Sequence, residues 1–168
     1  MLSKLTKGNK VVATAASVAL VCFFLPWVLV SCGGQPVASI SGWQLAAGGS
    51  INTGWSSQPI PGSPVLFLVL LAALASLASV YLVYKGQLKL RTAALTALAS
   101  GAVALLTLLA RFSGAQSETG SMGVSAQLEV GFWGTVLAHV AIVAGGLLDL
   151  KAAQSGEALG TGDTPPAA

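Results

Sequence analysis

Four apolar stretches, residues 11–30, 65–84, 92–110 and 131–150, run through this chain without Lys, Arg, Asp or Glu until Asp149 at the close of the last. Each is close to the ~20 residues that an α-helix needs to cross ~30 Å of hydrocarbon. In lipid every backbone N–H and C=O must be bonded internally, and a single segment achieves that only as a helix. The stretches therefore predict an all-α membrane protein, a four-transmembrane-helix bundle. A soluble reading fails on charge: 8% of the residues are charged, against roughly a quarter in a soluble domain. The chain has 168 residues, room for one membrane domain over residues 1–151. Residues 152–168 end in GTGDTPPAA and read as a disordered cytoplasmic tail.

The formal charge of +3 is a matter of placement. Lys4, Lys7 and Lys10 precede the first stretch, Lys85, Lys89 and Arg91 fill the connection between the second and third, and Lys151 follows the fourth. The other two connections hold Arg111 alone. These are membrane-flanking cations, not a basic patch with interleaved aromatics, so nucleic acid is excluded as a partner. Cytoplasmic loops collect Lys and Arg. Both termini are therefore expected in the cytoplasm of a multi-pass cell-membrane protein, with residues 31–64 and 111–130 outside. Amphipathic rings favour the membrane interfaces. Trp27, Phe67, Phe112, Phe132 and Trp133 fall at the outer ends of the stretches, and Tyr81 and Tyr84 at the inner end of the second.

Pro26 stands near the end of the first stretch, and a helix stops or bends there because proline removes a hydrogen bond. The first outer loop has no charged residue and is rich in Gly, Ser and Pro. Within it, residues 35–45 alternate loosely, with Val37, Ile40 and Trp43 apolar. The second ends in GVSAQLEV, where Val124, Ala126, Leu128 and Val130 alternate with Ser125, Gln127 and Glu129. Period-two alternation reads as strand. The two pieces either pair into a small extracytoplasmic β-sheet or stay as irregular loops. Small residues four apart, including Ala93, Ala97 and Gly101, Ala72 and Ser76, and Ala141 and Gly145, predict close helix packing within the bundle or, less simply, a homodimer face.

Few side chains offer chemistry. His139 is the sole histidine and falls near the middle of the fourth stretch. A midplane imidazole is costly and is a functional candidate by default; it could ligate a haem or chlorophyll. The plainer expectation is a neutral ring bonded to a neighbouring helix, near Thr107 or Ser76. Arg111 and Glu129 flank one loop and could pair, while Asp149 and Lys151 read as solvated flanking charges. Glu118 is the remaining outer charge. Cys22 and Cys32, if both on one helix, stand ~15 Å apart along it, beyond disulfide reach; Cys22 reads as a core residue. Leu29-Val30-Ser31-Cys32 has the form of a bacterial lipoprotein cleavage site, in which Cys32 would be acylated and residues 1–31 removed, although the apolar stretch is long for a signal peptide. No acid–base pair, nucleophile–base pair or metal cluster is visible. An enzyme is not expected, nor a cofactor.

FLPWVLVSC, SGWQLAAG and EVGFW resemble a group of small uncharacterised bacterial four-helix membrane proteins, over most of the chain. The layout also resembles the claudin-like arrangement of four helices beneath an outer sheet. Gly42-Trp43 matches part of that family's Gly-Leu-Trp motif, but no cysteine follows Cys32. The expected role is an accessory or structural subunit, or an envelope interaction protein, with the bilayer and other membrane proteins or further copies as partners. Trp43 and Trp55 on the uncharged outer loop are the expected contacts. The alternatives are a lipid-, pigment- or haem-binding membrane protein using His139, and a lipoprotein processed at Cys32.

Overall fold

The computed structural model describes residues 5–52, 57–113 and 124–160; Lys4, Trp55, Glu118 and the last eight residues lie outside these. In chain order the elements are α1 (Lys7–Phe24), β1 (Pro26–Cys32), β2 (Gln35–Ser41), α2 (Gly42–Ala47), β3 (Gly49–Asn52), β4 (Ser57–Ile60), a 3-10 turn (Pro64–Leu66), α3 (Phe67–Tyr84), α4 (Leu90–Phe112), β5 (Val124–Leu128) and α5 (Val130–Gly160). Among the described residues, α1, the turn with α3, α4 and α5 are the four helices long and apolar enough to cross a membrane. Their outward faces agree. Val21, Leu106 and Leu137 are each about two-thirds exposed, and apolar faces of that extent on every helix call for lipid rather than water. The chain is a multi-pass membrane protein.

The helices pack in a ring, α1 against α5, α5 against α4, α4 against α3, and α3 back against α1. Small residues set the spacing. A Cβ on Gly101 would come within 2.7 Å of Val143, and one on Gly145 within 2.7 Å of Val12. Ala93, Ala97, Ala104, Ala72 and Ala16 are buried in the same seams. Van der Waals contact between close backbones is the main force available to helices in lipid, and this spacing supplies it.

The first predicted helix is corrected at its outer half. α1 stops at Phe24, because Pro26 can neither donate a backbone bond nor fit the preceding turn. The apolar run that follows, Trp27 to Val30, is β1 and not helix. It is the middle strand of an antiparallel sheet ordered β2-β1-β5, with Leu29 opposite Ser39 on one side and Gln127 on the other. Of the first alternating segment only residues 35–41 are strand; the chain turns into α2 at Gly42, capped by Ser41, so Trp43 lies on a helix. Residues 124–128 are strand, and the two strands do not pair with each other; each flanks β1. Gly33 and Gly34, at φ +59° and +82°, make the tight turn between β1 and β2, a left-handed pair that side-chain-bearing residues resist. β3 and β4 form a separate ribbon. The sheet, α2 and the ribbon make a cap over one end of the bundle. At the other end α5 continues helical to Gly160, so residues 152–160 are not the structureless tail predicted.

Candidate functional site

The cap is fastened to the bundle at Trp27. Its indole is fully buried and donates from Nε1 to the carbonyl of Cys22 at 2.9 Å. The last carbonyls of a helix lack intrahelical partners, so the first residues of β1 satisfy the end of α1. Phe23 and Phe132 meet the indole edge-on at 5.5 and 5.9 Å, and Phe112 lies at 6.2 Å. Two glycines make the space. A Cβ on Gly42 would stand 2.5 Å from the Trp27 ring, and one on Gly131 would stand 2.5 Å from the Pro26 carbonyl and 2.8 Å from the indole. The Glu129 N–H donates to the Trp27 carbonyl at 2.8 Å. The three short motifs of the sequence, PW, SGW and EVGFW, therefore meet at one knot. Trp27 and Phe132 were expected at the lipid interface; both belong to the core, because here the rings pack on one another and the indole has an internal acceptor. Trp43 does lie at the surface, stacked on Phe24 at 5.9 Å and edge-on to Phe67 at 5.4 Å.

His139 is buried with no exposed surface. Its Nδ1 lies 2.8 Å from the Thr135 carbonyl, one turn back on α5. A carbonyl only accepts, so Nδ1 carries a proton and donates it. Nε2 has no hydrogen-bond partner among the described residues. The expected interhelical bond to Thr107 or Ser76 is thus not made. Thr107 turns to the Val103 carbonyl and Ser76 to the Ala72 carbonyl, with a 2.9 Å contact between Ser76 and Ser100 linking α3 to α4. Intrahelical bonds of this kind satisfy a buried hydroxyl without a neighbour's help. With zero exposure, no space of a water molecule's size adjoins the ring.

At the end away from the cap, Asp149 is buried, not solvated. Its carboxylate accepts from the Thr6 hydroxyl at 2.6 Å and sits over Gly8, where a Cβ would collide with it. Thr6 is also the N-cap of α1, its hydroxyl accepting from the Asn9 N–H at 3.1 Å. An anion at the N-terminus of a helix is favoured by the unpaired N–H groups and the helix dipole. This clamp was not legible in the sequence, where an Asp closing an apolar run reads as a boundary charge.

Cys22 is buried against Gly134, and Cys32 is exposed beside the β1–β2 turn; both are free thiols. They do not share a helix, so the spacing argument against a disulfide loses its premise, though Cys22 in the bundle and Cys32 at the hairpin tip remain apart. The Arg111–Glu129 pair is not formed. Among the described residues no three His, Cys, Asp or Glu side chains come together. No known family model, curated protein or solved structure matches this chain.

Proposed function

We propose that this protein is a non-catalytic accessory or structural subunit of the cell envelope, held in the cell membrane with both termini in the cytoplasm and its cap outside, where it contacts another membrane protein. One observation carries the reading. The residues that make the sequence distinctive converge on Trp27, a packed knot that fastens a rigid cap to a bundle, and not on a cleft. Holding a cap rigid lowers the entropy lost when a partner docks on it. The outer face offered is uncharged over β2 and α2, with Val37 and Trp43 exposed, and aromatic side chains at such surfaces anchor contacts.

A photo-crosslinking amino acid at position 37 or 43, in the full chain expressed in its membrane, tests this. Discrete adducts identified by mass spectrometry support the reading, and homogeneous adducts of double mass identify a second copy as the partner. Uncrosslinked protein at both positions defeats it. The cofactor alternative is judged on the same preparation: a visible absorbance band that co-purifies with the protein would favour a pigment or haem at His139 instead.

A further inference from the structure

A groove of about 470 Å³ runs along the outer seam between α1 and α5, in the half of the bundle away from the cap. The small side chains of Ala15, Ala138 and Ala141 make its floor, and the exposed Val11 and Val18 its rim. Lys10, Thr14 and Val18 follow one another along the α1 wall, four residues apart and so on one helix face. From Lys10 to Val18 the wall rises ~12 Å. Half the hydrocarbon core of a bilayer is ~15 Å. The groove is therefore as deep as one leaflet: cationic at the interface, hydroxyl-bearing one turn deeper, apolar toward the midplane.

Both polar side chains that line it lack a partner. Among the described residues Lys10 pairs with no acid and the Thr14 hydroxyl makes no hydrogen bond. Ser17, Thr96, Thr107 and Thr135, by contrast, each donate to a carbonyl one turn back on their own helix. A hydroxyl left unbonded against hydrocarbon is costly, so Thr14 calls for an acceptor from outside the chain. The charge at the mouth is of one sign. No Asp or Glu lines the groove, Asp149 at the same end is buried and held by Thr6, and Lys7, one turn before Lys10, is exposed. A second copy seated here about a two-fold axis would set Lys10 against its own equivalent, whereas a basic groove between spans suits an anionic headgroup. We propose that this groove seats one acyl chain of an anionic glycerophospholipid from the leaflet away from the cap, with its phosphodiester at Lys10 and an acyl-ester carbonyl accepting from the Thr14 hydroxyl. The ~6 Å of rise between Lys10 and Thr14 is of the size of the step from phosphate to ester in such a lipid.

The full-length protein, purified in mild detergent and offered equal amounts of phosphatidylglycerol and phosphatidylcholine with identical acyl chains, is read by native mass spectrometry. The wild type retains one phosphatidylglycerol in several-fold preference to phosphatidylcholine. Lys10→Gln removes the preference. Lys89→Gln, the same loss of charge at the α4 N-cap and outside the groove, keeps it. Thr14→Val weakens retention of both lipids several-fold and leaves their ratio. Val18→Trp, at a position 45% exposed, fills the groove from its rim and releases both. Circular dichroism checks that its helices have formed; Val11→Trp, on the same rim, takes its place if they have not. A wild type that holds no lipid or runs as a lipid-free dimer overturns the assignment. So does an unchanged preference in Lys10→Gln, an equal loss of preference in Lys89→Gln, or undiminished retention in Thr14→Val or the filled groove.

Discussion

Trp27 and Gly42 are coupled by direct contact, and the coupling can be measured. Trp27→Phe keeps an aromatic ring against Phe23 and Phe132 and removes Nε1 with the outer half of the indole. The Cys22 carbonyl keeps the Leu25 N–H at 3.2 Å, so the lost bond costs about 0.5–1.5 kcal/mol. The vacated ring volume adds a cavity cost, for a total of about 2 kcal/mol. Gly42→Ala is the opposite fault. Its methyl would lie 2.5 and 2.8 Å from two carbons of the six-membered ring and 2.7 Å from the Phe23 carbonyl, an overpacking worth about 1–3 kcal/mol. In the double variant the two ring carbons are gone and the carbonyl remains, so part of the clash disappears. The double variant should therefore be less destabilised than the sum of the singles, by about 0.5–2 kcal/mol. Denaturant unfolding in detergent micelles measures all three, and maleimide labelling of buried Cys22 reports whether the bundle end has opened. Additivity within ~0.5 kcal/mol would refute the contact as the reason for glycine at position 42.

His139→Leu should leave the absorbance spectrum unchanged and alter stability by no more than ~2 kcal/mol, since an interhelical bond in a membrane averages ~0.6 and this ring bonds only its own helix; a lost absorbance band at normal expression would sink the packing role. Asp149→Asn keeps an acceptor for Thr6 and loses the charge at the α1 terminus, about 0.3–1 kcal/mol, whereas Asp149→Leu strands the Thr6 hydroxyl at about 1–3 kcal/mol; unfolding that ranks them otherwise contradicts the clamp. Reporter fusions at residue 88 and at the C-terminus should both read cytoplasm, and an external signal at either reverses the orientation. Intact mass should include residues 1–31; cleavage at Cys32 would delete α1 and most of the middle strand of the sheet, so a chain beginning at an acylated Cys32 would demand a different fold.

The helices were legible because a span must be long, apolar and uncharged, and α3, α4 and α5 begin within two residues of where hydropathy puts them. β5 was legible from its strict alternation, and β2 only in part, because Val37 is exposed and Ile40 buried on the opposite face, and the alternation read on to residue 45 runs into helix α2. β1 was not. Val28, Leu29 and Val30 suit a strand or a span equally, and only Pro26 separates the two, so length favoured a continued helix. Strand order is a tertiary fact, and no local pattern at residues 35–41 or 124–128 says that a third strand lies between them. The same limit hid Trp27. An aromatic at the end of an apolar run is as apt for an interface as for a core, and what decided it, Gly42 and Gly131 making room, lies 15 and 104 residues away in the chain. For His139 the depth was right and the partner was not, because a carbonyl one turn away on its own helix is available to any histidine.

The joining of α1 to α5 has a consequence for biosynthesis. β1 leads directly from α1, β5 leads directly into α5, and the two strands pair, while Thr6 and Asp149 meet at the opposite end across 143 positions. Of the four spans, the one translated first is thus fastened at both ends to the one translated last. At ~5–20 residues per second, the ~106 residues between the close of α1 and the start of α5 take roughly 5–20 s to translate. Throughout that interval α1 waits in the bilayer with its Asn9 and Thr6 terminus unmatched and Trp27 without Phe132 or Gly131 to enclose it. The nascent chain has to be held by the insertion machinery, or by α3 and α4 as they arrive, until the final span completes the ring.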